Sequence, residues 1–302
     1  MAKAGIVYVA TDDGLVIFSD PASIGRWRRI GHELAGSAVA AVLAEDALKI
    51  DVAVRGAGLQ RSDDGGQSWR QLGGGDLVAL AAHPAAPQRL FALSADARLA
   101  RHDDAGWQSI DLAGPPSPPA PRAGALLVDP HAAELVIVAL SAGEVWASVD
   151  AGAAWGQLGG GLPPALRLAA SPGRPNTLFA TAEGGVWRAG ASGLWATTGG
   201  QVEPEPGGAL AALPGKTEAL LVATRSGIAY STDDGDTWAD ARFDAPLAAP
   251  VSALMPAAYH IDTAWAGTPD GRLLLSSDRG RSWATVAQGL AAIRAVAAVR
   301  LA

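Results

Sequence analysis

The chain has 302 residues, 49% of them hydrophobic and none of them cysteine, and its 23 basic and 30 acidic side chains leave a net charge of −7. The lack of cysteine excludes disulfides, thiolate metal ligands and cysteine nucleophiles. The acidic balance, without a long run of like charge, argues against nucleic acid or an anionic membrane surface as a partner.

In chain order, the first apolar run is Ile6-Val7-Tyr8-Val9-Ala10, which meets Asp12 and Asp13. It is too short for a signal-peptide core or a membrane span, so it reads as a strand, and the compartment expected by default is the cytoplasm. Further strands follow at residues 15–18 and around Trp27. From residue 78 onward a grammar is repeated. An apolar run reaches a proline turn, at His83-Pro84 and then at Pro130, Pro172, Pro214 and Pro256. A second run follows, as at 89–93, 177–181 and 219–224. A tight turn such as Arg225-Ser226-Gly227 or Pro269-Asp270-Gly271 leads to a third run, and a polar corner ending in Trp opens a fourth. Four short antiparallel strands make one such unit.

The corner is written S-x-D-x-G-x-[ST]-W. It appears with Ser62, Asp64, Gly66 and Trp69, with Ser231, Asp233, Gly235 and Trp238, and with Ser276, Asp278, Gly280 and Trp283. A fourth copy keeps Ser148, Asp150, Gly152 and Trp155 but has Ala154 in place of the hydroxyl residue. Short polar side chains fold such a turn on its own backbone, glycine takes a positive-φ position, and the Trp anchors the next strand. Degenerate corners precede Trp27 (Ser19-Asp20), Trp107 (Asp103-Asp104-Ala105-Gly106) and Trp195 (Ala191-Ser192-Gly193). Seven Trp residues thus mark seven repeats, 38 to 48 residues apart, which is the length of a propeller blade. The first repeat lacks an innermost strand, and the apolar run 293–299 after the last corner is expected to supply it. The predicted fold is all-β: a single seven-bladed β-propeller of four-stranded antiparallel blades over residues 1–302, closed by the C-terminal strand joining the N-terminal blade.

The corner resembles the Asp-box, or BNR repeat, of bacterial sialidases, sortilin-type receptors, some glycan hydrolases and photosystem assembly factors. The resemblance covers nearly the whole chain at the level of the repeat. It implies the propeller fold, and it implies that the boxes are structural, since in those families they lie away from the active face. The opposite face would carry the second-to-third-strand turns and three irregular connections, 112–122 with five prolines, 199–208 and 242–250. Its charged turn residues, Asp12, Asp13, Arg55, Asp96, Glu144, Glu183, Arg225 and Asp270, are the binding candidates. Acids around one rim could form a carboxylate pair for glycoside hydrolysis, although hairpin turns also favour such residues on conformational grounds. Trp146, Trp187 and Trp265 could stack on sugars or pack between blades.

The sialidase resemblance implies three arginines that clamp a substrate carboxylate, a tyrosine nucleophile supported by Glu, and an Arg-Ile-Pro stretch. The chain has no Arg-Ile-Pro, and of its three tyrosines, Tyr8, Tyr230 and Tyr259, two fall in predicted strands. His32, His83, His102, His131 and His260 have no metal-ligand spacing. The runs Gly73-Gly74-Gly75 and Gly159-Gly160-Gly161 follow box strands and read as linkers. No catalytic residue, metal or cofactor is expected. The favoured reading is a non-catalytic scaffold or binding module that presents its loop face to a protein partner. The alternative is a glycan-binding or glycoside-hydrolysing protein.

Overall fold

In the computed structural model, which describes residues 5–22, 25–110, 123–140, 144–158, 162–163, 165–190, 193–215, 217–257 and 259–301, every regular element is a β-strand. The strands make seven sheets, each built on four antiparallel strands, the blades of a seven-bladed β-propeller. Blade 1 is ordered Ile293–Arg300, Gly5–Thr11, Gly14–Asp20, Arg28–Glu33. Blades 2 to 4 follow in simple sequence. Blade 2 is Val39–Ala44, Ile50–Val54, Gly58–Ser62 and Arg70–Gly73; blade 3 is Leu77–His83, Ala86–Ser94, Leu99–Asp103 and Gly106–Ile110; blade 4 is Ala123–Asp129, Ala132–Leu140, Val145–Ser148 and Gly156–Gln157. Blade 5 is Ala165–Ala170, Leu178–Ala182, Gly185–Ala189 and Trp195–Thr197, and blade 6 is Leu210–Leu213, Ala219–Thr224, Gly227–Ser231 and Ala239–Asp240. Blade 7 is Ala253–Pro256, Ala264–Gly267, Leu273–Ser276 and Ser282–Ala287.

The predicted completion of blade 1 is present. Ile293–Arg300 pairs antiparallel with Gly5–Thr11, from Gly5 opposite Arg300 to Ala10 opposite Ala295. The 242–250 segment, read from sequence as irregular, departs from that expectation at its start. Arg242–Phe243 lies parallel to Ser282–Trp283 and gives blade 7 a fifth, edge strand. The ring of Phe243 packs where Gly227 has no side chain; a Cβ there would stand 2.7 Å from it. The 112–122 connection, Gly159-Gly160-Gly161 and the Ala191-Ser192 part of a degenerate corner lie outside the described residues.

The backbone packing divides the chain into two compact units, one of Met1–Leu77, Ala223–Tyr230 and Asp240–Ala302, the other of Val78–Val222 and Ser231–Ala239. Within the first, Gly5–Thr11 is buried along its whole length. Alternate residues feed different cores: Ile6, Tyr8 and Ala10 pack with Val42, Ile50 and Val52, while Val7 and Val9 pack with Phe18, Trp265 and Ile293. A strand covered on both faces reads as an unbroken apolar run for this reason. Within the second unit, Ile137 and Ala139 pack with Leu178 and Ala180, and Val138 and Leu140 with Leu93 and Leu99.

The three full corners and the Ala154 copy share one geometry. The serine hydroxyl accepts the N–H of the glycine four residues on, at 2.8 Å for Ser62, 2.7 Å for Ser148, 2.8 Å for Ser231 and 2.9 Å for Ser276. It donates to the aspartate two residues on, at 2.7–2.9 Å. That aspartate accepts the N–H of Ser68, Ala154, Thr237 or Ser282, and the three hydroxyls among these residues also donate to its second oxygen. The Ser68 hydroxyl and amide, with Ser62, hold the Asp64 carboxyl down to about 2. Asp233 is lowered first by the Thr237 hydroxyl, and Asp150 first by the Ala154 amide. Burial pushes Asp278 up, but its hydrogen bonds from Ser282 and Ser276 outweigh this and lower it.

Two consecutive residues of each corner are left-handed, where the sequence pointed to the glycine alone. Gly65, Ala151, Asp234 and Arg279, at φ of 79°, 57°, 63° and 64°, precede Gly66, Gly152, Gly235 and Gly280. The conformation turns the N–H of the first residue outward, and in every copy it meets the chain entering the second strand of the same blade. Gly65 donates to the Leu48 carbonyl, Ala151 to Glu134, Asp234 to Glu218 and Arg279 to Asp262. The box is therefore a tie between two turns at one end of a blade. The indoles are not uniform: Trp155 and Trp283 donate to Gly152 and Gly280 of their own corners. The buried Trp69 and Trp238 nitrogens have no partner among the described residues.

Candidate functional site

The third strand separates its two turns by its full length, so the second-to-third-strand turns stand at the blade end opposite the boxes. Asp12 and Asp13, Arg55, Asp96, Glu183, Arg225 and Asp270 all occupy such turns, and Glu144 immediately precedes a third strand. What the structure adds is how most of these side chains are engaged. Asp12 takes both sides of the Arg294 guanidinium, at 2.7 Å to Nε, which holds its carboxyl below the usual range. Asp13 accepts the Gly36 amide at 2.7 Å. Arg55 pairs with Asp76 at 3.0 Å. Asp96 accepts from Ser94 and pairs with Arg98 at 2.9 Å; the Ser94 hydroxyl is the main cause of its lowered pKa. The Trp146 indole lies 3.5 Å from the Glu144 carboxylate, and the Trp187 indole donates to the Glu183 carbonyl at 3.0 Å. Asp270 is exposed.

These pairings keep each turn in shape; they do not gather the eight residues into one constellation. The partners Arg294, Gly36 and Asp76 had no signal in the sequence, because each comes from a different stretch of chain. The same holds for the clamp on the 242–250 connection. Arg272, buried beside the blade 7 turn, donates to Thr285 Oγ1 at 2.8 Å, the Pro246 carbonyl at 2.8 Å and Asp244 at 2.7 Å. Asp244 also accepts the Thr285 amide at 2.6 Å, the first cause of its lowered pKa. A segment that looked like a loose loop is held by one arginine fork.

The sugar-directed candidates are engaged with the blades themselves. Trp265 is fully buried, its ring edge-to-face with Trp27 at 4.7 Å, and cannot stack on a ligand. Trp146 and Trp187 are half-buried against blade cores. Tyr8 is fully buried, donates to the Ala47 carbonyl at 2.7 Å, and is pushed up to about 12 by burial. Such a phenol is no nucleophile at neutral pH. No group of three or more metal-ligating side chains occurs among the described residues, and no helix there is long and apolar enough to cross a membrane.

No protein-family model matches the chain, and no curated protein matches it in sequence. Solved structures do match. YCF48 bound to D1 peptide is 16% identical over 83% of this chain and 81% of that one, with a TM-score of 0.59. YCF48 from Cyanidioschyzon merolae is 14% identical over 84% and 87%, again at 0.59. An ancestral GH74 enzyme is 17% identical and has a TM-score of 0.61. What is shared is the fold. The chain covers 92% of its own length in that last comparison but spans about half of the GH74 enzyme, 52%.

Proposed function

We propose that the chain is a non-catalytic binding module that offers the turns opposite its boxes to a protein partner. The observation that carries this is the state of the carboxylates at those turns. Asp12, Asp96 and Asp244, the ones whose acidity is clearly displaced, are all held below the ordinary range by arginine, hydroxyl or amide donors. A glycosidase acid needs the opposite, a carboxyl kept protonated near neutral pH by an apolar pocket or a like charge. Carboxylates fixed by local clamps instead present a rigid, charged surface, which costs little ordering entropy on association. The fold likeness to YCF48 bound to D1 peptide supports a protein ligand by analogy.

The test compares capture of host proteins by the full chain and by charge-reversed variants. Arg55→Glu and Asp270→Lys should abolish capture of a specific partner, whereas Asp63→Lys, in the box turn of blade 2, should not. Hydrolysis of β-glucans or sialosides by the purified chain would end this reading in favour of the glycan one.

A further inference from the structure

A second surface, separate from the turns above, lies on the outer edge of blade 1. Its fourth strand, Arg28–Glu33, is the end strand of its sheet. Outer strands in blades 2 to 6 run from two to five residues. Among the described residues only blades 1 and 7 have six-residue ones, and the edge of blade 7 is taken by the added strand Arg242–Phe243. The blade 1 edge has no such cover among the described residues.

Its composition runs against the rest of the chain. In a protein of net charge −7, Arg26, Arg28 and Arg29 stand within four residues, all exposed. No carboxylate among the described residues pairs with any of them. Arginines on other blades are commonly neutralised, Arg70 by Asp63 at 4.0 Å on the neighbouring outer strand and Arg61 by Asp51 at 2.8 Å. Between Ile17 and Phe18 the ladder shifts register, Ile17 facing Gly31 and Phe18 facing Arg29, so Ile30 is an extra residue, and it is 61% exposed. The bulge interrupts the free edge as a template for a long added strand. It leaves three arginines immediately ahead of one exposed apolar side chain, on a backbone fixed at its start by Trp27 against Trp265.

We propose that this edge is a docking site for an extended acidic peptide segment of a partner protein, one with several carboxylates beside an apolar residue. Arginine suits the task because its planar fork takes a carboxylate by two parallel bonds. A single apolar contact beside Ile30 would set the register. The overall negative charge repels nucleic acid and anionic bilayers, which meet a larger area than one strand. The site is independent of the turn-face reading.

The experiment titrates the full chain against a labelled peptide alternating Glu and Asp around a central Leu. A Gln/Asn counterpart, an oligonucleotide and phosphatidylserine vesicles serve as comparisons. Saturable binding of the acidic peptide is expected, weakening with salt and falling about tenfold or more in Arg28→Ala/Arg29→Ala. Arg70→Ala and the turn-face variants should leave it unchanged. The double variant should melt with the wild type, since both side chains are exposed. Failure of the acidic peptide to bind, equal binding of the neutral peptide, or retention of affinity by the double variant overturns the proposal and leaves the arginines as guards against edge pairing. Preference for the oligonucleotide or the vesicles overturns it equally.

Discussion

Arg174, from the turn between the first two strands of blade 5, holds the carboxylate of Glu218 in blade 6 at 2.9 Å, and with the same nitrogen the carboxylate of Asp234 at 2.9 Å. The Glu218 side chain is only 2% exposed and also accepts from Ser171 and the Gly173 amide. Removing the arginine strands a buried negative charge beside a second carboxylate. Full burial of both partners would put the loss at about 3–5 kcal/mol. Arg174 is 41% exposed, so water can take part of its place, and Arg174→Ala should cost about 2 kcal/mol in denaturant unfolding. Arg174→Ala/Glu218→Gln should recover part of this, a coupling that the double-mutant cycle measures directly; strictly additive losses would show that the pair does not interact.

Blade 4 supplies a natural test of the box, because Ala154 lacks the hydroxyl that Ser68, Thr237 and Ser282 donate to their aspartates. The Ala154 amide already reaches Asp150 at 2.8 Å, so the backbone is in place. Ala154→Ser should stabilise the chain by up to about 1 kcal/mol. Ser62→Ala removes a buried group that both accepts and donates, and should cost about 1–3 kcal/mol. Thermal melts of the two variants should move in opposite directions.

The box aspartates also set an acid limit. Asp64 is held down to about 2 in the folded chain, against about 3.9 when unfolded. A depressed folded value means the unfolded state takes up protons first as the pH falls. The contribution is thus whole above about pH 4 and drains away toward about pH 2. Asp64→Asn should lower the melting temperature at pH 7, and the gap to wild type should close in that window. A gap that stayed constant from pH 7 to pH 2 would rule out the carboxylate as its source.

How much of this was legible depends on how far apart in the chain the partners stand. The corner from Ser62 to Trp69 could be read because its bonds span two to four residues and every residue type in it has a local use. Seven repeats, the strand order and the place of Ile293–Arg300 followed from that one unit. The Asp12–Arg294 pair joins residues 282 apart, and neither residue has a motif of its own. The left-handed Ala151, Asp234 and Arg279 were hidden as well, because that position is a free choice of residue and only blade 2 marks it with a glycine. Asp12 and Asp96 were read as candidate ligands because a turn residue looks the same in sequence whether it faces solvent or grips a neighbour.

The box glycines differ in what lies above them, and a substitution series should rank accordingly. A Cβ on Gly66 would meet Glu33 and Ile17 side-chain atoms at 3.3 Å, whereas one on Gly235 would stand 2.8 Å from Thr198 Cβ. Both residues have φ near +95°, at 98° and 93°, so the backbone strain of alanine, about 1–2 kcal/mol, is common to them. The difference between Gly235→Ala and Gly66→Ala therefore isolates the steric term, and Gly235→Ala should be the worse by about 1 kcal/mol or more. Equal losses would place the whole effect in the backbone.

The C-terminal strand Ile293–Arg300, which completes blade 1, is held by pairing and by burial together. Ile293 and Val296 are 0% and 1% exposed and pack with Val7, Val9 and Trp265. Ile293→Ala should cost about 3 kcal/mol through the cavity it leaves. The methyl carbon of Ile293 would lie 2.3 Å from a Cβ on Gly267, so Gly267→Ala should fail in the wild type for want of space. In the Ile293→Ala background the methyl clash is gone and only the Cβ of residue 293 remains, at 2.9 Å, so Gly267→Ala should cost less there than in the wild type. Removing 291–302 altogether exposes one hydrogen-bonding edge of Gly5–Thr11 and withdraws the Arg294 fork from Asp12. That variant should unfold with a broad, weakly cooperative transition in calorimetry; a sharp melt at the wild-type temperature would show that blade 1 stands without its C-terminal strand.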